Sequence, residues 1–430
     1  MELLDSGDES FMAIETPATI FFIGAGPVAL EAALYARYLG YHVEICEAGQ
    51  VCEHVHHWSH VKMFSPFSLN HSPLGKAAIE SHEPNHLFPA TDEYITGAQW
   101  LASYLLPLSE TDLLRPSIHT NSRVVSVSRT WSNKTDLTHD RAGDPFRVIV
   151  EQEKQQRVLT ADIVIDTSGV YANPNPIGAG GIPAIGEKEL VSDIKRSIPT
   201  IEQAHQLSGQ QVAVIGAGHS AASTLLTLAN AGAILTWITR GDHLLALQQI
   251  EDDPLAERVH VLKKLQSLVT NSEISVLPNC AIDTVKLSES ESCQKYKLGI
   301  YETPHHDLQE EGGNELKLTW HSFDQIFGLT GYRTDSSIHQ ELQVHQCYAT
   351  EGPIQLAASL LSQSRGNCLD LSIESRELLI TTEPNYYQLG IKSYGRQSGF
   401  LFHTGLNQIV QLFQIIGDRD SLDIYQTFSG

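Results

Sequence analysis

The sequence predicts an α/β chain built around two dinucleotide-binding units of the Rossmann type. Two observations carry that expectation. Glycine-rich turns occur twice, as FFIGAGPVALEAA with Gly24, Gly26 and Ala29, and as VAVIGAGHSAAST with Gly216, Gly218 and Ala221. Each follows a short apolar run and opens a segment with helical character, the context in which such a turn binds a dinucleotide. A residue without a side chain lets the backbone approach a pyrophosphate, and the third small residue lets helix and strand pack closely. The helix N-terminus then offers unpaired N–H groups to the phosphates, with Ser220 in the first turn of the second motif.

The strands that follow differ at their ends. After Gly24 the chain runs through a helix to Gly40 and then YHVEICEAG, which sets Glu47 at 23 residues from Gly24. A carboxylate there can accept hydrogen bonds from the ribose diol of FAD or NAD. After Gly216 the matching strand is AILTWITRG, with Thr239 at the same spacing and Arg240 beside it. The acid is missing and a cation stands at the gap, which favours a 2′-phosphate and so NADPH over NADH; Asp242 close by weighs the other way.

Composition sets the class. The 430 residues suit two or three domains, and 41% hydrophobic with 18% charged residues describes an ordinary globular chain. A net charge of −23 argues against nucleic acid and anionic membrane surfaces as partners. No stretch approaches a membrane span, and the acidic MELLDSGDES reads as a loose tail rather than a signal peptide. The six cysteines, Cys46, Cys52, Cys280, Cys293, Cys347 and Cys368, form no C-x-x-C pair and no zinc spacing. Reduced thiols in a cytoplasm are therefore expected.

Along the chain, residues 18–47 read as strand, helix, strand, and 97–106 as a helix. Residues 123–129, 146–151 and 158–166 read as strands. The Gly-, Pro- and Asn-rich stretch 171–187 marks a crossing, and a second strand–helix–strand unit begins at Gln211. Residues 286–318, with SESES and QEEGG, suggest an exposed hairpin or loose insertion.

Three further segments make the picture specific: DTSGVYANPN with Thr167, Ser168 and Gly169, FGLTGYRTD with Thr330 and Gly331, and LGIKSYGRQSGFLFHTG near the C-terminus. This layout resembles the flavoproteins with two dinucleotide-binding domains, the group of thioredoxin-reductase-like enzymes and class B flavin monooxygenases. WSHVKMFSP and KSYGRQSGF look like a narrower bacterial branch of it. The resemblance implies an NADPH domain inserted in a discontinuous FAD domain. That gives a flexible tail at 1–17, FAD-domain parts at 18–204 and 331–430, and an NADPH domain at 205–330. It implies FAD and NADPH as cofactors, with the two T-[SG]-G turns at the crossings. Two departures from the better-known branches stand out. The dithiol of thioredoxin and glutathione reductases has no counterpart here, and the F-x-G-x-x-x-H segment of class B monooxygenases is replaced by SIPTIEQAHQLSGQQ.

By the same resemblance the flavin ring lies where residues 54–67 meet 392–405. Trp58 and Phe64 are candidates to cover its face, with core packing as the alternative. Gly395 and Gly399 permit close approach, and a helix starting between Ser398 and Phe402 would point its N-terminus at the ring. Lys392 or Arg396 could add positive charge, so that Trp58, Lys392 and Arg396 are the candidate catalytic residues; surface charges are the alternative for the last two. The A-G-D turn whose acid usually holds the ribityl chain is absent, and Ser393 or Tyr394 would substitute. His54, His56, His57 and His60 fall within seven residues, but no acid or cysteine completes a ligand set, so no metal is expected. One of them could serve as a proton donor at the flavin. Cys368 is a candidate single reactive thiol, with a buried thiol as the alternative.

The expected activity is that of an FAD-dependent NADPH oxidoreductase. The leading expectation is a monooxygenase that hydroxylates a small molecule through a flavin–oxygen adduct. The alternatives are a reductase passing electrons to a disulfide, quinone or protein acceptor, and a flavin-binding sensor without turnover. A homodimer is left open.

Overall fold

The computed structural model describes residues 13–137, 139–247, 253–288, 295–302, 317–362 and 375–428. The chain folds as two units. One comprises residues 1–59, 65–170 and 334–430, and the other residues 60–64 and 171–333.

In the first unit a parallel sheet runs in the order Tyr386–Gln388, Ile163–Asp166, Thr19–Ile23, His42–Cys46, Ile118–His119. TIFFI and IVID lack polar alternation because parallel strands are buried on both faces. An antiparallel sheet of Arg123–Arg129, Phe146–Gln152 and Gln155–Ala161 packs on one face, with Phe21, Ile23 and Val164 meeting Val127, Phe146 and Val148. The run expected as one strand over 158–166 therefore breaks in two. Asp162 makes the break, its carboxylate accepting the N–H of Thr19 at 2.8 Å. The helices Pro27–Tyr38 and Phe402–Ile416 pack together through Tyr35 and Phe413, stacked at 5.0 Å.

The second unit repeats the plan. Its parallel order is Ser275–Leu277, Ile234–Ile238, Gln211–Ile215, Gln325–Gly328. Alternation along Gln211–Ile215 divides the core. Val212 and Val214 face the helices His219–Asn230 and Ala256–Thr270, whereas Ala213 and Ile215 face the antiparallel strands Cys280–Leu287, Tyr296–Glu302 and Leu318–Phe323. The stretch expected as an exposed hairpin or loose insertion at 286–318 therefore holds a strand, Tyr296–Glu302, paired on both sides. SESES, QEEGG and Cys293 lie at least in part outside the described residues, and Cys368 lies wholly outside them.

Two expected elements differ in detail. Residues 97–106 are a short α-helix, Gly97–Trp100, followed by a π-helical turn, Leu101–Leu105; Pro107 then stands in the next α-turn, Leu106–Ser109. The division between units falls at 170–171, ahead of residue 204, because residues 171–198 pair inside the second unit. Lys195 bridges to Phe327, Ile185 to Thr284 and Pro174 to Tyr332. Among the described residues no helix is long and apolar enough to cross a membrane.

Candidate functional site

The two glycine turns have the same construction. Gly24 N–H donates to Cys46 O at 2.8 Å, and Gly216 N–H to Ile238 O at 3.1 Å, so each turn leaves its strand tied to the neighbouring strand end. Both glycines have positive φ, +93° and +130°. A Cβ on Gly24 would meet Thr167 O and Ser168 Cα at 3.3 Å, and one on Gly216 would meet Leu329 O at 2.2 Å. Each turn is pressed against the strand end that leads into its own T-[SG]-G turn, where Gly169 (φ +71°) and Gly331 (φ +82°) sit. At Gly26 and Gly218 the outward direction is open, with no atom within 4 Å of a built Cβ. Those residues cap the helices Pro27–Tyr38 and His219–Asn230 without any side-chain hydrogen bond, whereas Ser72, Thr96 and Thr200 cap theirs. The uncapped N–H groups and open backbone suit a pyrophosphate at each turn. Ala29 and Ala221 are wholly buried, which is the close helix–strand packing expected of the third small position.

Glu47 stands at the end of His42–Cys46, as its spacing predicts. Its Oε2 accepts from Ala25 N at 2.8 Å and its Oε1 from Gly49 N at 2.9 Å. Each oxygen keeps a lone pair for a ribose hydroxyl. At the second turn Thr239 is buried and its hydroxyl is engaged locally, donating to Gly241 O at 2.7 Å. Arg240 is exposed there. The carboxylate of Asp242 is engaged locally, accepting Leu244 N–H at 2.9 Å and lying 3.4 Å from His243. Ser220 is exposed in the first helical turn.

The residues assigned to the flavin ring divide. Trp58 is half-buried in the first unit, its ring 6.4 Å from Trp100 and laid so closely over Gly97 that a Cβ there would collide at 2.7 Å. Its indole N–H is buried without a hydrogen-bond partner, an orphaned donor that a bound acceptor would satisfy. Phe64 belongs to the second unit instead. Its ring packs edge-on against His219 at 5.6 Å, because Lys62–Glu257 (2.8 Å) and His60–Ile198 O (3.0 Å) draw residues 60–64 there.

At the C-terminal segment the helix begins at Phe402, capped by Leu401 without a side-chain bond, and Ser398 and Gly399 precede it. The turn at Gly395 (φ +66°) touches Thr350, whose carbonyl accepts Arg396 N–H at 2.8 Å. Arg396 pairs with Glu351 at 2.6 Å. Lys392 is fully buried and ion-paired with Asp166, so it is not a free charge. The Ser393 hydroxyl is taken, donating to Gly390 O and accepting from Gln408. Tyr394 is buried beside Phe400 at 5.4 Å. Asp166, the partner of Lys392, escapes a reading of the sequence; its one signal is a lone acid closing an apolar strand.

The histidines do not converge. His57 meets Glu53 at 3.1 Å and lies 5.7 Å from His54, while His60 is held in the second unit. Among the described residues no group of three or more metal-ligating side chains gathers. Cys46, Cys52, Cys280 and Cys347 are buried and form no disulfide with one another, and the Cys280 thiol donates to Pro278 O at 3.3 Å. Burial pushes the Cys46 thiol up to about 12 and raises Cys52 further, whose Sγ donates to Ala25 O at 3.4 Å. Both are inert thiols of the first glycine turn.

These features define a chain with two glycine turns of the dinucleotide-binding kind, and comparison supplies the family. Residues 21–346 match the family described as pyridine nucleotide-disulphide oxidoreductase, and the chain belongs to it. A search of curated proteins finds no significant match. Among solved structures it is similar to the bacillithiol disulfide reductase Bdr of Bacillus cereus, with 18% identity over 94% of this chain and 99% of that one and a TM-score of 0.66. The Staphylococcus aureus Bdr gives 16% identity over 94% and 99%, with a TM-score of 0.62. T. acidophilum thioredoxin reductase gives 15% over 92% and 97%, with a TM-score of 0.55. At these identities the likeness is one of fold. The chain is an FAD- and NAD(P)H-dependent oxidoreductase.

Proposed function

We propose that the chain takes a hydride from NADPH to FAD and passes the electrons to an acceptor outside itself, a disulfide or another small two-electron acceptor. FAD is assigned to the Gly24 turn with Glu47 on its ribose, and NADPH to the Gly216 turn with Arg240 at its 2′-phosphate. The domains follow as FAD-binding for the first unit and NADPH-binding for the second. Bound FAD supplies a ring that accepts two electrons from the nicotinamide and releases them again. Around it, Trp58 offers an unpaired N–H, and the uncapped start of Phe402–Ile416 offers backbone N–H groups to developing negative charge.

One observation carries the external acceptor. The cysteines nearest the first turn, Cys46 and Cys52, are buried and held protonated beside the adenosine-binding strand end, so they cannot relay electrons as a dithiol. Membership of a disulphide oxidoreductase family favours a disulfide as that acceptor. Anaerobic NADPH oxidation with a panel of low-mass disulfides, quinones and protein disulfides tests this. Turnover with one class well above the acceptor-free rate is expected; no turnover with any of them would sink the reading. A second reading, hydroxylation with oxygen as acceptor, rests on the resemblance of GAGHSA, with His219 and Ser220, to the NADPH motif of class B flavin monooxygenases. It is separated by the same assay in air, where a hydroxylated product would appear.

A further inference from the structure

Lys392 follows the strand Tyr386–Gln388, and its side chain has no solvent exposure. Its Nζ lies 3.1 Å from Ser168 Oγ, 2.8 Å from Asp335 O and 3.2 Å from Asp166 Oδ2. Three acceptors meet the three protons of one ammonium. Asp166 is equally buried and equally saturated. Its Oδ1 accepts Ser168 N–H at 3.0 Å and Ser168 O–H at 2.6 Å, and its Oδ2 accepts Tyr386 O–H at 3.1 Å. Burial opposes its ionisation, yet the Lys392 ammonium and the hydrogen bonds from Ser168 hold its carboxyl below the ordinary range. Burial holds the nearby His339 at about 4, hence neutral, so Lys392 is the cation of the cluster.

Removing one partner of such a pair leaves an uncompensated buried charge, and the pair by itself is weak evidence of stability, so its presence needs another reason. Its position suggests the reason. Ser168, held by both charges, is the residue whose Cα lies 3.3 Å from a Cβ built on Gly24. On the other side Gly390 rests on Val28 in the first turn of the helix Pro27–Tyr38, and its N–H donates to Gln408 at 2.8 Å. The ion pair thus sits behind the wall of the first glycine turn and ties that wall to Asp335.

We propose that Lys392 is a positioning residue for FAD: with Asp166 it clamps Ser168, and through Ser168 it fixes the Gly24 turn that receives the pyrophosphate. The proposal rests on FAD occupying that turn. It replaces the expectation that Lys392 lends charge to the flavin ring.

The test is FAD affinity of the apoprotein, read by flavin fluorescence, alongside the midpoint potential of the bound flavin. Ser168→Ala keeps both charges and removes the clamped hydroxyl. It is expected to weaken FAD binding about tenfold, while Ser168→Thr restores most of the affinity. The charge-neutral double variant Asp166→Asn with Lys392→Met should weaken binding at least as much and leave the potential unchanged. A shifted potential with intact affinity would mean that Lys392 acts on the ring and would overturn the clamp. Ser168→Ala binding FAD as the wild type does would also overturn it. A wild-type chain that binds no FAD would overturn the assignment beneath it.

Discussion

At the end of Ile234–Ile238 the guanidinium of Arg240 is exposed, while Asp242, two residues on, accepts Leu244 N–H. A 2′-phosphate placed there gains a charge-assisted contact worth about 1.5–3 kcal/mol. Arg240→Ala is therefore expected to raise KM for NADPH by about tenfold or more and to leave NADH nearly untouched. Equal losses for both nucleotides would remove the 2′-phosphate from this position. Glu47 makes a second residue-scale case. Its two oxygens already organise Ala25 and Gly49, so Glu47→Gln should both loosen the turn and lose a ribose acceptor. FAD should then leave on gel filtration that the wild type survives; full retention would assign the ribose elsewhere. Both residues were legible in the sequence, because spacing from a glycine turn fixes the end of the next strand. The burial of Lys392 was not, since nothing local to KSYGRQ announces that Asp166, 226 residues earlier, would meet it.

Elements carry the two turns and one buried acid. Gly216 has φ +130°, and a Cβ there would lie 2.2 Å from a backbone oxygen with no room to yield. Gly216→Ala should therefore lower stability by about 3 kcal/mol or more, with the loss seen in thermal unfolding of the purified chain. Gly218→Ala has open space ahead of it and should fold normally while weakening NADPH, which separates folding from binding. Glu31, wholly buried in the helix Pro27–Tyr38, is pushed above its usual 4.5 by burial, against the hydroxyls of Tyr104, Ser72 and Tyr425. For an acid with a raised folded pKa, the stabilisation is full below the unfolded value and declines as pH climbs through the folded one. Glu31→Gln should flatten that decline in Tm as pH rises above the unfolded value; an unchanged Tm–pH slope would show that Glu31 ionises as it does in the unfolded chain. The strands and helices around both turns follow from apolar runs and their periods. The π-turn at Leu101–Leu105 and the break at Asp162 do not, because each is imposed by packing and hydrogen bonds across the unit.

For the whole molecule, the duplicated plan is the strongest statement the chain makes. Two parallel sheets, each faced by an antiparallel sheet, each present an uncapped helix behind a glycine turn. That duplication was legible because the motif repeats with its T-[SG]-G partner. The placement of Phe64 with the second unit was hidden, since residues 60–64 owe it to partners more than a hundred residues away. The acceptor is the least legible part, because it is read by side chains on irregular segments rather than by the fold. The central claim is that one chain carries a hydride from NADPH to FAD. Anaerobic rapid mixing of the FAD-loaded protein with NADPH tests it most directly. Loss of the oxidised flavin absorbance, complete at one NADPH per flavin and much slower with NADH, is the result expected. Bound FAD that stays oxidised in the presence of saturating NADPH would contradict it.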